Sequence, residues 1–405
     1  MATNIQFLNI VHQNQNQNQN QNFAFPIFPI FGNNLFPFFP TIPPESNAVV
    51  VCAVCGGICK PTTASPLANF ESHDRDWMHP MLIKAKPKYQ DWRKQPFTAR
   101  AFNRIDDELF IEMGVSRFIG GAGGFYVSNP AKNSGVSNVS INTSLSEMAI
   151  PVHRNCLDLA KIFCRYQARF DIDFRSAGGG APSSLAHLYE IWCKRAIAIC
   201  PNGVMTKPFK EPTNYMGAPW AKLLDDYVKI LENDKSLCKY EANPMYPGDI
   251  TTRVICKYLQ PLDTNDLEPS PEIAECWKRI ENMPLEIGVR IIEAIEPFED
   301  GLTKACLKPT RVLHNDWWRE KLMSGTLIPW LFDLDNTLVD QHSLKYGHED
   351  WDWERLCRQL AQPDVFEEGG ILYGVSDHLW NRHRIWKVLN AARLGHMVFE
   401  LPDEI

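Results

Sequence analysis

Two pairs of side chains that commonly bind metals stand far apart in this chain. Two residues separate Cys52 from Cys55 in VCAVCGG, and two residues separate His153 from Cys156 in IPVHRNC. Thiolate sulfur and imidazole nitrogen are the ligands with which proteins hold zinc tetrahedrally, usually as closely spaced pairs. The two pairs predict a Cys3His zinc site that is structural, because four protein ligands leave no position for a reacting water.

The elements around the two pairs are suited to bring them together. Glycines follow Cys55 and favour a tight turn in which backbone amides approach the sulfur atoms. The second pair is predicted to share one face at the start of a helix, with Pro151 at the helix entrance. A knuckle followed by a helix is typical of treble-clef sites. Two alternatives stay open: Cys52 and Cys55 form only a turn while Cys156 faces a core, or other side chains are the ligands, namely Cys59, His73 or His79.

The intervening and following sequence predicts the fold class. Short runs of β-branched and aromatic residues, broken by Gly, Asn and Ser, indicate strands in MGVSRFIGG, GGFYVSN and SNVSINTS. Helical periodicity follows in PVHRNCLDLAKIFCRYQARF, LAHLYEIWCKRAIAIC, DWDWERLCRQL and NRHRIWKVLNAARLGH. We expect an α+β protein in which a small antiparallel sheet module, clamped by zinc and treble-clef-like, precedes a mainly helical C-terminal half.

Composition divides the chain into five segments. A Gln/Asn- and Phe/Pro-rich start predicts a disordered tail, and the remaining boundaries follow shifts in periodicity and proline content. The predicted segments are a disordered tail at 1–46, the CxxC/HxxC α+β module at 47–178, a helical middle region at 179–280, an F-box-like segment at 281–325 and a Trp-rich helical region at 326–405.

Overall charge and cysteine content restrict the class of protein. The net charge of −7 offers no cationic surface for nucleic acid. Twelve cysteines in 405 residues are too dilute for a disulfide scaffold, so we expect free or metal-bound thiols in the cytoplasm or nucleus. No apolar run approaches the length of a membrane span, and no membrane contact is expected.

The sequence FDLDNTLV, which includes Asp333 and Asp335, resembles the signature of haloacid-dehalogenase-like phosphatases. That resemblance implies an aspartate nucleophile and an aspartate acid/base at the end of a buried parallel strand, with magnesium as the cofactor. Pro329 interrupts the strand that this chemistry needs. We therefore favour a buried anchor of Trp330, Leu331 and Phe332 that enters a turn, with both aspartates solvated or capping the next turn.

The basic segment near the C-terminus has two interpretations. Basic residues alternate with apolar ones in NRHRIWKVLNAARLGH, as in a helix that binds nucleic acid. An amphipathic docking helix is the favoured interpretation. Its basic residues are then expected to be solvated: Arg382, Arg384, Lys387 and Arg393.

The segment NMPLEIGVRIIEAI begins with Pro284 and repeats isoleucine at Ile287, Ile291 and Ile295. Four-residue steps place these side chains on one face, which is typical of a core helix or a partner-binding helix. The opening Met283–Ile287 resembles the first helix of an F-box, which docks on the Skp adaptor of cullin ubiquitin ligases. The resemblance implies a contact surface formed by Pro284, Leu285, Ile287, Ile291 and Ile295.

The resemblance extends over residues 48 to 390. Eight motifs in order are similar to those of a family of fungal F-box-like proteins: VCAVCGG, IPVHRNC, LYEIWCKR, NYMGAPW, MPLEIGVRIIEAI, DWWREKL, IPWLFDLD and NRHRIWKVL. It implies a non-enzymatic adaptor that recruits a Skp-type adaptor and a cullin to a substrate protein whose identity the sequence does not give.

One departure from the family defines the alternative. After the isoleucine helix, EPFEDGLTKACLKPTRVLHND is shortened, is interrupted by Pro309 and lacks the Arg-Cys pattern of F-box helices. A zinc-stabilised interaction protein with a degenerate F-box is therefore the second hypothesis, and the phosphatase the third.

Overall fold

The computed structural model describes the chain in blocks. These are residues 51–59, 77–78, 80–85, 110–119, 124–128, 136–140, 150–170, 182, 184–189, 191–192, 214–215, 218–219, 224–262, 271, 274–275, 278–279, 282–284, 307, 309–311, 313–346 and 350–392. Several sequence predictions lie outside the described residues: the tail at 1–46, the rival ligands His73 and His79, and Leu285, Ile287, Ile291, Ile295 and Arg393 of the two helical predictions.

The N-terminal module contains an antiparallel sheet of five strands. They are β1 (Pro80–Ala85), β2 (Phe110–Ile119), β3 (Gly124–Ser128), β4 (Val136–Ser140) and β5 (Ile150–His153). Their spatial order is β4-β3-β2-β1-β5, and each neighbouring pair is antiparallel. The predicted small antiparallel sheet is confirmed, and three of its strands coincide with the runs recognised in the sequence.

The transition from sheet to helix differs from the prediction in one respect. Helix α1 (Arg154–Phe170) begins only after His153, and Pro151 and His153 pair with β1 opposite Leu82 and Pro80. Pro151 is therefore a strand residue and not a helix entrance. An edge strand tolerates proline, because the missing N–H is not needed by a second neighbour.

A mainly helical region follows, which confirms the predicted α+β class. A two-stranded ribbon, β6 (Asn214–Tyr215) and β7 (Ala218–Pro219), precedes it. Among the described residues, its helices include α2 (Leu224–Asn233), a 3-10 helix (Lys235–Glu241), α3 (Gly248–Cys256), α4 (Asn315–Met323), a second 3-10 helix (Pro329–Leu331), α5 (Asn336–Tyr346), α6 (Trp353–Leu360) and α7 (Asp377–Ala391).

Helix α7 links the sheet module to the helical region. It packs against α1 and against both 3-10 helices. The ring of Trp386 meets that of Phe163 edge-on, with centroids 5.2 Å apart. Its apolar side chains thus join one core with those of α1.

The prediction that the basic residues of this helix are solvated is wrong for two of them. Arg382 is 1% exposed and Arg384 is 2% exposed. Arg382 donates to both carboxylate oxygens of Asp333, at 2.7 and 2.9 Å, and to the carbonyls of Pro244 and Tyr246. These four acceptors compensate the desolvated guanidinium, which sequence periodicity could not anticipate.

The FDLDNTLV segment forms an anchor and a turn. Trp330 and Leu331 are buried in a 3-10 helix and Phe332 is half-buried beside them, so no strand precedes Asp333. Asp335 accepts a hydrogen bond from the amide of Thr337 at 2.8 Å and caps the next helix, as predicted. Asp333, expected to be solvated or capping, is instead an ion-pair partner with a side chain 21% exposed.

Candidate metal centre

The first ligand pair lies in a turn that closes on itself. Val51 pairs with Ile58, the amide of Cys52 donates to the carbonyl of Gly57 at 2.8 Å, and the amide of Gly56 donates to the carbonyl of Cys52 at 2.9 Å. Gly56 has a φ of 73°, a conformation that glycine adopts without steric cost. The turn predicted from the glycines is confirmed, and it fixes both thiols on one side.

This turn covers the free edge of the sheet. The amide of Ala53 donates to the carbonyl of Pro151 at 3.0 Å, and the amide of His153 donates to Cys52 Sγ at 3.2 Å. The end of β5 is therefore held against this turn. The sheet thus brings together two ligand pairs that lie far apart in the sequence.

The four ligand atoms converge. The Sγ atoms of Cys52, Cys55 and Cys156 and a ring nitrogen of His153 all lie within 4.8 Å of one another. His153 Nδ1 is 3.4 Å from Cys55 Sγ and 3.7 Å from Cys156 Sγ. Tetrahedral zinc would set a nitrogen–sulfur edge of roughly 3.6 Å. The donor set and its spacing therefore fit a tetrahedral metal ion.

The imidazole is oriented for ligation through Nδ1. Its Nε2 donates to the carbonyl of Ile58 at 2.8 Å. In neutral His153 this bond holds the proton on Nε2 and leaves the lone pair of Nδ1 facing the sulfur atoms. A hydrogen bond from the non-ligating nitrogen is the usual way in which proteins fix a metal-binding histidine.

Two further contacts shape the site. The amide of Gly57 donates to Cys55 Sγ at 3.3 Å and helps to fix the position of this sulfur. The Trp77 ring meets the His153 ring edge-on with centroids 4.8 Å apart, and the Trp77 indole donates to the carbonyl of Glu241 at 3.1 Å. Sequence reasoning missed Trp77, because no local pattern connects it with either ligand pair.

Burial and mutual contact shift the pKa values of the clustered thiols in opposite directions. Burial raises the pKa of Cys52, but hydrogen bonds from Cys156 and Cys55 and the charge of His153 outweigh burial and hold it well below its usual range. Burial opposes a charged His153, yet the thiolates bring its pKa well above the usual value. Burial, with Cys52 and Cys55, raises the pKa of Cys156. A bound divalent cation would replace these shared protons.

Cys59 lies beside the site but is not one of the four. It is 7% exposed, and its burial raises the pKa of its thiol to about 11 although His153 lowers it. Its thiol is not among the four ligand atoms that lie within 4.8 Å of one another. Within the described part of the chain, the Cys52, Cys55, His153 and Cys156 group is the single cluster of this kind.

Comparisons with protein-family models, with curated proteins and with solved structures find no match to this chain. Over the residues that the structure describes, no helix combines the length and apolarity needed to cross a membrane.

Proposed function

We propose that this protein is a non-enzymatic interaction protein in which a structural zinc ion holds the turn of Cys52 and Cys55, strand β5 and helix α1 together. The observation that carries the proposal is the convergence of three thiols and one imidazole within 4.8 Å. All four residues are 0% exposed. Four protein ligands without solvent access leave no coordination position for substrate, so the ion would stabilise the fold and perform no chemistry.

Zinc is favoured over other metals by the ligand set. Three thiolates and one imidazole suit a borderline-soft ion that accepts tetrahedral geometry without a preference of its own. Calcium and magnesium require oxygen ligands, which the cluster lacks.

The first prediction concerns metal content. We expect protein purified without added metal to contain one zinc ion per chain, measured by elemental mass spectrometry against the protein concentration. Cobalt exchanged into the site should give the intense visible absorption of tetrahedral thiolate coordination. Protein that is folded, metal-free and unable to take up zinc or cobalt would contradict the proposal.

A second candidate function is that of an F-box-like adaptor for a cullin ubiquitin ligase. Its support is the motif order in the sequence and the flanks of the Met283–Ile287 match. Met283 is 39% exposed, so the start of the match is at the surface. After the isoleucine repeat, which ends at Ile295, Glu354 accepts from the amides of Thr310 and Arg311 at 2.7 and 2.9 Å.

The same attachment includes a buried ion pair. Arg311 donates through both terminal nitrogens to Asp352, each at 2.7 Å. Asp352 caps α6, because it accepts from the amide of Arg355 at 2.9 Å. An interaction segment needs an accessible start and a rigid attachment to the rest of the protein. Met283 lies at an accessible start, and Thr310 and Arg311 supply the attachment.

A pull-down tests the adaptor candidate. The full chain, incubated with a purified Skp-type adaptor, should retain it, and Ile287→Asp should reduce retention at least about tenfold, as expected when an apolar anchor is lost from an interface. Leu344→Asp is the matched control, because Leu344 is 83% exposed on α5 and outside the segment. Equal retention by both variants, or none by the unmodified chain, contradicts the adaptor function and leaves the zinc proposal standing.

A further inference from the structure

The guanidinium of Arg384 lies against the backbone of the metal-binding turn. Its Nη1 donates to the carbonyl of Cys55 at 3.0 Å. Its Nε and Nη2 donate to Asn381 Oδ1 at 3.1 and 3.0 Å, and the group lies 5.0 Å from the centroid of the Tyr240 ring. A cation this deeply buried is costly to desolvate, so its position beside a ligand residue requires a physical explanation.

Asn381 fixes the direction of this guanidinium. It is 0% exposed, and its amide nitrogen donates to the carbonyls of Ala242 and Tyr240 at 2.6 and 3.3 Å. Those bonds leave its oxygen to accept from Arg384. The arginine is thereby pre-positioned by neighbours on α7 and on the 3-10 helix, independently of the metal-binding turn.

Helix α7 contacts both segments that carry ligands. Arg384 contacts the turn with Cys52 and Cys55, and Trp386, two residues further along, packs against Phe163 of α1. Cys156 lies in the first turn of the same α1. The helix therefore contacts the turn directly and contacts α1 at a point beyond Cys156.

The net charge of a bound metal complex would explain why a cation lies beside the turn. A divalent ion bound by three thiolates and one neutral imidazole has one net negative charge. In a site without solvent access, that charge is weakly screened and attracts a nearby buried cation. Arg384 is a cation of suitable location, hydrogen-bonded to the backbone of one of the ligand residues.

We propose that Arg384 is a positioning residue of the metal centre and couples metal binding to the docking of α7. This inference rests on the proposed zinc site. Zinc binding fixes the carbonyl to which Arg384 donates, and docked Arg384 stabilises the negative metal complex. Because such coupling is reciprocal, removal of the metal weakens the docking of α7, and removal of Arg384 weakens the binding of the metal.

The test compares Arg384→Met with Arg382→Met in the full chain. Both arginines are buried in α7, but Arg382 pairs with Asp333 and contacts neither ligand segment in its described hydrogen bonds. Zinc affinity is measured by competition with a chromophoric chelator, at a temperature at which both variants are folded by circular dichroism. We expect Arg384→Met to weaken zinc binding roughly 10- to 100-fold, as for other groups that orient metal ligands. Arg382→Met should weaken zinc binding much less, because it leaves the bond between Arg384 and the carbonyl of Cys55 in place.

Equal affinities in the two variants overturn the inference, because the effect of Arg384 would then be no more than that of any buried arginine. If Arg384→Met fails to fold, Arg384→Lys and Arg382→Lys are compared instead. We then expect Arg384→Lys to bind zinc more weakly than Arg382→Lys, with a smaller difference than for the methionine variants. A folded unmodified protein that binds no zinc refutes the proposed function itself, whereas zinc binding insensitive to Arg384 refutes only the coupling.

Hydrogen exchange of the unmodified protein gives the reciprocal measurement. Removal of zinc by a chelator should accelerate amide exchange in residues 384–391 of α7. Exchange in that segment that is the same with and without metal would overturn the coupling.

Discussion

Cys156→Ser is expected to abolish zinc binding and to lower the free energy of unfolding by at least about 3 kcal/mol. A serine hydroxyl remains protonated at neutral pH and is a poor zinc ligand, so one corner of the tetrahedron is lost. Cys156 is also the ligand that joins α1 to the metal-binding turn. Loss of this link removes the clamp between turn, sheet and helix. Urea unfolding and elemental analysis of the same samples measure both effects.

Cys357→Ser is the matched control. Cys357 is 0% exposed, and its thiol donates to the carbonyl of Trp318 at 3.7 Å, a bond that a hydroxyl reproduces. We expect this variant to keep its zinc and to lose about 1 kcal/mol. A chelator should bring the unmodified protein to the stability of Cys156→Ser and leave Cys156→Ser unchanged. The proposal of a structural zinc ion is wrong if Cys156→Ser keeps one zinc per chain and has the same free energy of unfolding as Cys357→Ser.

Asp333→Asn is expected to destabilise the protein by about 3 kcal/mol, because it leaves the buried Arg382 without its carboxylate. An asparagine retains one acceptor oxygen but no charge, and its amide nitrogen would face a guanidinium nitrogen. Asp333 also lies where the chain is tightly packed, because its carbonyl oxygen is so close to Gly248 that a side chain at that position would clash with it. Relaxation of the backbone around the new amide is therefore restricted. Thermal and urea unfolding measure the loss.

Asp335→Asn provides the comparison within the same motif. Asp335 is exposed and accepts from the amide of Thr337, a cap that asparagine also forms. We expect a much smaller change in stability than for Asp333→Asn. The phosphatase alternative predicts the opposite pattern: both variants stay folded and both lose magnesium-dependent hydrolysis of a phosphate ester. Observation of that pattern would refute the ion-pair interpretation of Asp333.

The sequence by itself determined the elements whose signals are local. Ligand type and spacing identified Cys52, Cys55, His153 and Cys156, and the glycines after Cys55 identified the turn. Runs of β-branched and aromatic residues broken by Gly, Asn and Ser predicted the strands, and helical periodicity predicted the helices, because both signals are local in the sequence. The cap formed by Asp335 was predictable for the same reason, since it joins residues only two positions apart.

The tertiary structure decided where distant segments meet. His153 belongs to a strand and not to a helix, because pairing with β1 extends the strand to its last residue. Arg382 and Arg384 are buried, although a basic segment is normally solvated, because Asp333 and the carbonyl of Cys55 reach them from sequence positions 49 and 329 residues away. Local periodicity reports which face of a helix is apolar. It contains no information about an acceptor that folding brings from elsewhere, and such an acceptor determines whether a charge can leave water.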